Sequence, residues 1–84
     1  MYEAALCIVA EDKIGVLAEI SAALAEMRVP VMTINVAPPK NARAVINLTV
    51  GCKDVEHYNS IVARLRSIET VLSVARNADR KAFS

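Results

Sequence analysis

Hydrophobic and polar residues follow two different periods along this chain, and the switches between them mark the predicted elements. Over residues 2–10 the side chains alternate between two largely apolar faces, which predicts a central strand. Over residues 15–27 the apolar spacing changes to three and four, which predicts an amphipathic helix with Val16 or Leu17 at the start of its buried stripe. Asp12 stands where its carboxylate could meet the first free N–H groups of that helix.

The rest of the pattern adds two strands, a second helix and a short final strand. Alternation over residues 29–37 and 43–52, separated by the short loop 38–42, is typical of a hairpin. Asp54 is a suitable N-cap for a second amphipathic helix. Residues 70–76 then predict a last short strand.

The predicted order of elements is β-α-β-β-α-β. With short connections and right-handed crossovers, this order predicts an α+β fold, the ferredoxin-like sandwich. Two helices would cover one face of a four-stranded antiparallel sheet, and the strand order 4-1-3-2 follows by analogy with that fold. The second strand then lies at an edge. Pro30 cannot donate a ladder hydrogen bond, and an edge position does not require one. We expect one domain over residues 1–77 and a frayed polar tail at 78–84.

Composition and charge exclude several classes of protein. The chain has 84 residues, enough for one domain, and its 10 basic and 9 acidic residues give a formal net charge of +1. This balance argues against a duplex-binding module, which would normally carry a basic patch. No apolar run reaches the length of about 18 residues that a membrane-spanning helix needs. One His and two Cys are too few for a dedicated metal cluster, and no cofactor is expected.

Three functions that this fold can host fail on the residues. The first loop, residues 11–15, lacks the Cys-x-x-Cys pair of a heavy-metal-binding module. The central strands carry Leu, Ile, Val, Cys and Asn, whereas an RNA-recognition module needs aromatic rings for stacking. The same loop offers only Lys13, whereas an acylphosphatase-like catalyst needs a working Arg in an anion-binding loop. We therefore expect no catalytic activity in this chain.

Residues 12–17, Asp-Lys-Ile-Gly-Val-Leu, followed by a helix, resemble the loop of the ACT domain, a small-molecule regulatory module. The pattern there is Asp, a basic residue, any residue, Gly and two aliphatic residues. The resemblance continues in residues 18–24, 46–50 and 61–66 and covers residues 3–77. These segments are most similar to the C-terminal ACT domain of RelA/SpoT-type guanosine polyphosphate synthetases/hydrolases, the GTP pyrophosphokinases. The hairpin loop departs from the Gly-containing turn that such relatives often have.

The resemblance implies a cytoplasmic regulatory domain attached to the catalytic domains of a longer parent protein. It also implies a homodimer whose two sheets join side by side, with a small amino acid bound at the seam, and a branched-chain amino acid is one candidate. Apolar loop residues would line the pocket for its side chain. The site residues that it implies are Asp12, Lys13, Ile14, Gly15, Val16, Leu17 and, on the partner's edge strand, Asn35.

Each of these residues also has a purely structural explanation. Gly15 would let a ligand carboxylate approach the helix N-terminus, or it would merely permit a tight turn from strand to helix. Asp12 would accept a ligand ammonium or would cap the helix, and Lys13 would be solvated. Leu17 is expected in the core. Asn35 would contact a partner or face solvent.

A second interpretation is an interaction module without a ligand. It would dock on the ribosome, or on other domains of the parent, through the outward sheet face and a late basic cluster. The outward face comprises Cys7, Val9, Thr33, Asn35, Val45, Asn47, Thr49 and Ser73. The basic cluster comprises Arg64, Arg66, Arg76, Arg80 and Lys81.

The remaining reactive residue types are assigned no site. Cys7 and Cys52 fall far apart in the expected antiparallel pairing, so they cannot be bridged and are expected as free thiols in a reducing compartment. His57 has no Cys or His neighbour at ligand spacing and is expected at the surface.

Overall fold

A computed structural model describes residues 2–76, with the side chain of Pro39 left out. The six predicted elements are present in the predicted order. They are β1 (Tyr2–Glu11), α1 (Val16–Glu26), β2 (Val31–Lys40), β3 (Arg43–Cys52), α2 (Val55–Arg66) and β4 (Val71–Arg76). The predicted tail at 78–84 lies outside the described residues. No helix in the described part of the chain is long and apolar enough to cross a membrane.

The sheet is antiparallel with the order β2-β3-β1-β4, the predicted 4-1-3-2 counted from the other edge. The central strands β1 and β3 pair without interruption from Tyr2 opposite Cys52 to Glu11 opposite Arg43. Both outer strands carry register shifts against their neighbours. Because the pairing of β1 with β3 has no shift, side chains in these two strands alternate strictly between the two faces of the sheet along their whole length.

One face of the sheet is buried beneath both helices. In β1 the even-numbered residues from Ala4 to Ala10 are buried, and the odd-numbered residues between them are half-buried. Sheet and helix side chains form a single apolar cluster, as expected for a two-layer domain. Its fully buried members include Leu6, Ile8, Ile20, Ile46, Leu48, Val50, Ile61 and Leu65.

The hairpin between β2 and β3 is tighter than the sequence predicts. β2 begins at Val31, and it continues through the predicted loop to Lys40. Extended proline backbone is compatible with an edge strand, because no ladder bond is required on its outer side. The turn is reduced to Asn41 (φ 55°) and Ala42 (φ 60°). Two positive φ angles are the signature of a type I′ turn, in which alanine stands where glycine is favoured.

The second helix begins as predicted and ends earlier. The Asp54 side chain accepts a hydrogen bond from the backbone N–H of His57 at 2.8 Å, so the predicted N-cap is confirmed. The regular helix ends at Arg66, with Ser67 as its C-cap. Ile68, the last predicted residue of the apolar stripe, is still buried, because the turn after the helix keeps its side chain on the core.

Candidate functional site

The loop between β1 and α1 is fixed to the sheet on both sides. The backbone N–H of Asp12 donates to the carbonyl of Ala42 at 3.0 Å, and that of Glu11 donates to Thr70 at 2.8 Å. These bonds tie the loop to the β2–β3 turn and to the residue before β4. The loop is therefore held in one conformation at this end of the sheet, even though most of its side chains are exposed.

Gly15 is the N-cap of α1 and adopts the left-handed conformation, with φ 90° and ψ −3°. A Cβ atom built on it would meet nothing within 4 Å. Glycine is thus required here by the backbone angle, since L-residues rarely adopt it. It is not required by crowding, because no neighbouring atom would clash with a side chain. The tight-turn explanation of Gly15 therefore accounts for the residue by itself.

The first turn of α1 leaves two backbone donors available. The N–H of Val16 donates to the carbonyl of Lys13 at 3.3 Å, and that of Glu19 donates to Gly15 at 2.9 Å. Within residues 2–76 the N–H groups of Leu17 and Ala18 have no acceptor. An uncapped helix N-terminus with free N–H groups is favourable for an anion.

Asp12 does not cap this helix, so that prediction is wrong. The cap position belongs to Gly15, and no side chain accepts a hydrogen bond from the first turn. The left-handed turn at Gly15 places three residues between the carboxylate and the helix. Lys13 is exposed as expected, and its Nζ lies 3.4 Å from an oxygen of Glu11. An exposed pair of this kind contributes little to stability.

The apolar residues of the loop divide into buried and exposed members. Val16 is buried in the core, whereas Leu17 is 39% exposed and Ile14 is fully exposed. The expectation that Leu17 belongs to the core is therefore wrong. The turn at Gly15 directs Val16 toward the sheet, and its neighbour in the helix must then point outward. Ile14 and Leu17 are the two apolar side chains that a ligand could reach.

Asn35 lies in the middle of β2, far from the loop in the same protomer. It pairs with Asn47 on the outward face, four residues along β3 from Arg43, which lies opposite Glu11. At about 3.4 Å per residue, Asn47 and its partner Asn35 lie about 14 Å along the strand direction from the end of the sheet that carries the loop. Together with Thr33 and Thr49, the two asparagines border a shallow concavity of about 290 Å³. The sequence correctly places all four on the outward face, but it does not reveal the concavity.

The edge strand β2 exposes an apolar row that sequence reasoning missed. Ile34 and Val36 lie opposite the buried residues Leu48 and Ile46, so they share the helix-side face. They are nevertheless 46% and 47% exposed, and Val31 and Met32 are comparably exposed. Alternation predicts which face a residue occupies, but it does not show how far the helices extend across the sheet.

The described members of the late basic cluster contact the domain itself. Arg64 Nε lies 3.3 Å from Glu26 Oε1, and Arg66 donates to the carbonyl of Val74 at 3.3 Å. The guanidinium of Arg76 lies 5.7 Å from the centre of the Tyr58 ring. The two further members, Arg80 and Lys81, lie outside the described residues. These three cations therefore do not form a single free basic surface.

The cysteines are free, as predicted, and His57 is less exposed than predicted. Cys7 is half-buried on the outward face, and Cys52 is fully buried. His57 is half-buried, and its Nδ1 accepts a hydrogen bond from the backbone N–H of Lys53 at 3.0 Å. Among residues 2–76 no group of three or more His, Cys, Asp or Glu could hold a metal ion.

Comparison with known proteins gives one family and one fold. The family model described as ACT domain matches residues 1–76. The crystal structure of the ACT domain from the GTP pyrophosphokinase of Chlorobium tepidum superposes with a TM-score of 0.78 at 25% identity, over 89% of this chain and 96% of that chain. No curated protein gives a significant match.

Two further solved structures share the fold at lower identity. The acetolactate synthase small subunit from Thermotoga maritima superposes with a TM-score of 0.81 at 16% identity, over 90% of this chain and 47% of that chain. The ligand-free regulatory subunit of aspartate kinase from Thermus thermophilus gives 0.73 at 20% identity, over 89% of this chain and 50% of that chain.

Proposed function

Because this chain belongs to the ACT domain family, we propose that it is a regulatory domain that binds a small amino acid between two copies of itself. Its signal would adjust the attached catalytic domains of a RelA/SpoT-type guanosine polyphosphate synthetase/hydrolase. The similarity to the ACT domain of a GTP pyrophosphokinase supports this choice of parent. The ligand must bind one state of the parent more tightly than the other to shift its activity.

The observation that carries the proposal is the open N-terminus of α1. The free N–H groups of Leu17 and Ala18 would hold the carboxylate of the amino acid, assisted by the positive end of the helix dipole. Gly15, which precedes them, adds no side chain that would block the approach. The carboxylate of Asp12, which is exposed and makes no cap bond, would accept from the ligand ammonium.

The side chain of the ligand would contact the exposed apolar residues of the loop. Ile14 and Leu17 flank the free N–H groups, and both are accessible. Their aliphatic character favours a branched-chain amino acid over a charged or aromatic one. Lys13 is occupied with Glu11 and would contribute positive charge at the rim. Val16 supports the site from the core and does not touch the ligand.

The second copy would pair along β2. The outer side of this ten-residue edge strand offers unpaired backbone groups, and its half-exposed apolar row would be covered by the same row of a partner. Such pairing continues one sheet through both copies and brings Asn35 to the partner. Ile34→Glu is expected to abolish the dimer in analytical ultracentrifugation, because like charges would then meet across the new seam.

The test is an amide NMR titration of the chain with each of the twenty amino acids. The proposal expects saturable shifts centred on residues 12–18 with one or a few aliphatic amino acids, and a smaller shift at Asn35. Ile14→Asp is expected to weaken binding about tenfold, because a repulsion of about 1.4 kcal/mol would oppose the ligand carboxylate. Ile14 is fully exposed, so folding is expected to be unaffected.

Val55→Asp is the matched control, since Val55 is also exposed and stands at the start of the other helix. It is expected to leave binding unchanged. Shifts that ignore the 12–18 loop, or equal weakening by both variants, would contradict the proposal. If no amino acid produces a shift at millimolar concentration, the docking-module interpretation is favoured. Salt-sensitive ribosome binding by the parent protein would then test that interpretation.

A further inference from the structure

A groove of about 410 Å³ lies at the opposite end of the sheet from the loop of residues 12–17, here called the ACT loop. Two turns form it: the one from α1 to β2 and the one from β3 to α2. They are joined where the N–H of Gly51 donates to the carbonyl of Pro30 at 2.9 Å. The residues that line it, here called the Cys52 groove, are Arg28, Val29, Pro30, Gly51, Cys52, Lys53 and His57.

The floor of the Cys52 groove is apolar and uncharged. Val29 and Cys52 are both buried in the core. Burial raises the pKa of the Cys52 thiol above its ordinary value of 9.0, an effect that nearby Asp54 reinforces and Arg76 opposes. The thiol is therefore neutral at physiological pH, and the floor favours an aliphatic group.

The rim of the Cys52 groove is cationic. Arg28 and Lys53 are exposed, and within the described part of the chain neither forms an ion pair. His57 uses Nδ1 as an acceptor for the N–H of Lys53, which leaves Nε2 as the protonated donor of the neutral ring. The carboxylate of Asp54 accepts from the N–H of His57 and is not among the lining residues.

We infer that the Cys52 groove binds a small aliphatic carboxylate that lacks an amino group. The aliphatic body would cover the apolar floor, and the carboxylate would be held by Arg28 and Lys53 with assistance from His57. The size of the groove is within the range of small-molecule pockets. Among residues 2–76 no carboxylate lines it, so the ammonium of an amino acid would lose solvent without gaining an ionic partner. Charge complementarity thus separates this ligand from the amino acid proposed for the loop.

Arg28 makes this assignment more specific. The N–H of Arg28 donates to Ala25 at 3.0 Å, and that of Val29 donates to Leu24 at 2.9 Å. Arg28 has φ 58°, the left-handed position after a helix that glycine usually occupies. An arginine here is conformationally unfavourable, yet the turn fixes its Cα at the rim of the groove. Because glycine is the better residue for the fold, Arg28→Gly separates binding from stability.

The experiment is an amide NMR titration of the chain with 4-methylpentanoate, using 4-methylpentanamide and leucine as comparison ligands. The acid is expected to shift the amides of Arg28, Val29 and residues 51–57. The neutral amide is expected to bind about tenfold more weakly, because it lacks the charge-assisted hydrogen bonds to the rim. Leucine is expected to leave these amides unshifted at the same concentration.

Variants then test the rim directly. Arg28→Gly and Lys53→Gln are each expected to weaken binding of the acid severalfold to tenfold, with no decrease in the urea midpoint for Arg28→Gly. Lys40→Gln is the matched control, since Lys40 is an exposed lysine at the other end of the sheet. Ile14→Asp is expected to have no effect here, so this inference and the proposed function fail independently. The inference is overturned if the acid causes no shift, if the neutral amide binds equally well, or if both rim variants bind normally.

Discussion

The two helices cover the same face of one sheet, yet they begin in opposite ways. α2 begins after an extended Asp54 whose side chain accepts a hydrogen bond from its first turn. α1 begins after a left-handed Gly15 and has no side-chain cap. A helix that supplies its own cap has no need of an external anion, whereas one that does not keeps its donors and dipole available. The difference indicates which helix start can function as a receptor.

The same contrast holds at the other ends of the helices. After α2, Ser67 has a right-handed conformation, and its hydroxyl donates to the carbonyl of Arg64 at 2.6 Å. After α1, the C-cap Met27 is also right-handed, but Arg28, the next residue, is left-handed and its side chain is exposed. Both ends of α1 therefore depend on unusual backbone angles, whereas both ends of α2 are closed by ordinary side-chain hydrogen bonds.

The largest expected effect comes from forcing an ordinary residue on the start of α1. Gly15→Ala is expected to lower the free energy of unfolding by about 1–2 kcal/mol, because an L-residue is disfavoured at φ 90°. Gly15→Asn is expected to lower it less, since asparagine tolerates this conformation better. Urea denaturation at fixed protein concentration measures both. An alanine variant as stable as the unmodified chain would show that the turn can rearrange.

A pair of aspartates compares the two helix starts directly. Asp54→Ala is expected to lower the free energy of unfolding by about 1 kcal/mol through loss of the cap. Asp12→Ala is expected to change it by less than about 0.5 kcal/mol, because Asp12 is exposed and caps nothing. The measurement is again urea denaturation. Equal losses in the two variants would contradict the difference between the helix starts.

At the end of α1 the expected change is stabilising. Arg28→Gly is expected to raise the free energy of unfolding by about 0.5–1 kcal/mol, because glycine adopts φ 58° without strain. Ser67→Gly, at the corresponding end of α2, is the control. It removes the hydroxyl hydrogen bond from a right-handed residue and is expected to destabilise. Thermal unfolding of both variants gives the signs, and a destabilised Arg28→Gly would mean that the guanidinium contributes to the fold.

The smallest expected effect concerns the buried thiol that precedes the cap of α2. Burial raises the pKa of Cys52 above 9.0, so the unfolded chain releases this proton at lower pH than the folded chain. The contribution to stability is complete below pH 9 and decreases as pH rises through the raised pKa. Cys52→Ala is expected to flatten this decline in urea midpoints measured from pH 8 upward. Cys7→Ala retains Cys52 and is expected to preserve the decline.

The parts of the fold that sequence analysis predicts are those governed by local periodicity. β3 has the predicted bounds, because strict alternation and the turn before it define both ends. Asp54 was identifiable as a cap because a suitable side chain stands directly before the apolar stripe. The pattern does not distinguish Val16 from Leu17 as the buried residue, because the buried stripe of α1 depends on a backbone angle at Gly15 that the pattern does not encode.

The candidate sites divide in the same manner. The ACT loop is a continuous segment, so a motif can identify it. The Cys52 groove is assembled from two turns that are distant in sequence, and a single Arg, Lys or His in either turn carries no signal alone. The exposed row on β2 also escapes prediction, because Ile34 and Val36 have the same pattern as buried strand residues. Their exposure depends on the breadth of the helical layer.

The uninterrupted pairing of β1 with β3 has a consequence for how the domain opens. Ten consecutive residue pairs join these strands, whereas β2 and β4 have irregular register with their neighbours. In hydrogen–deuterium exchange, the amides of the central ladder are expected to exchange only when the whole domain unfolds, and those of the outer strands during smaller fluctuations. A ligand or second copy that binds at β2 can therefore slow the amide exchange that occurs through local fluctuations of this outer strand, while the central ladder stays intact.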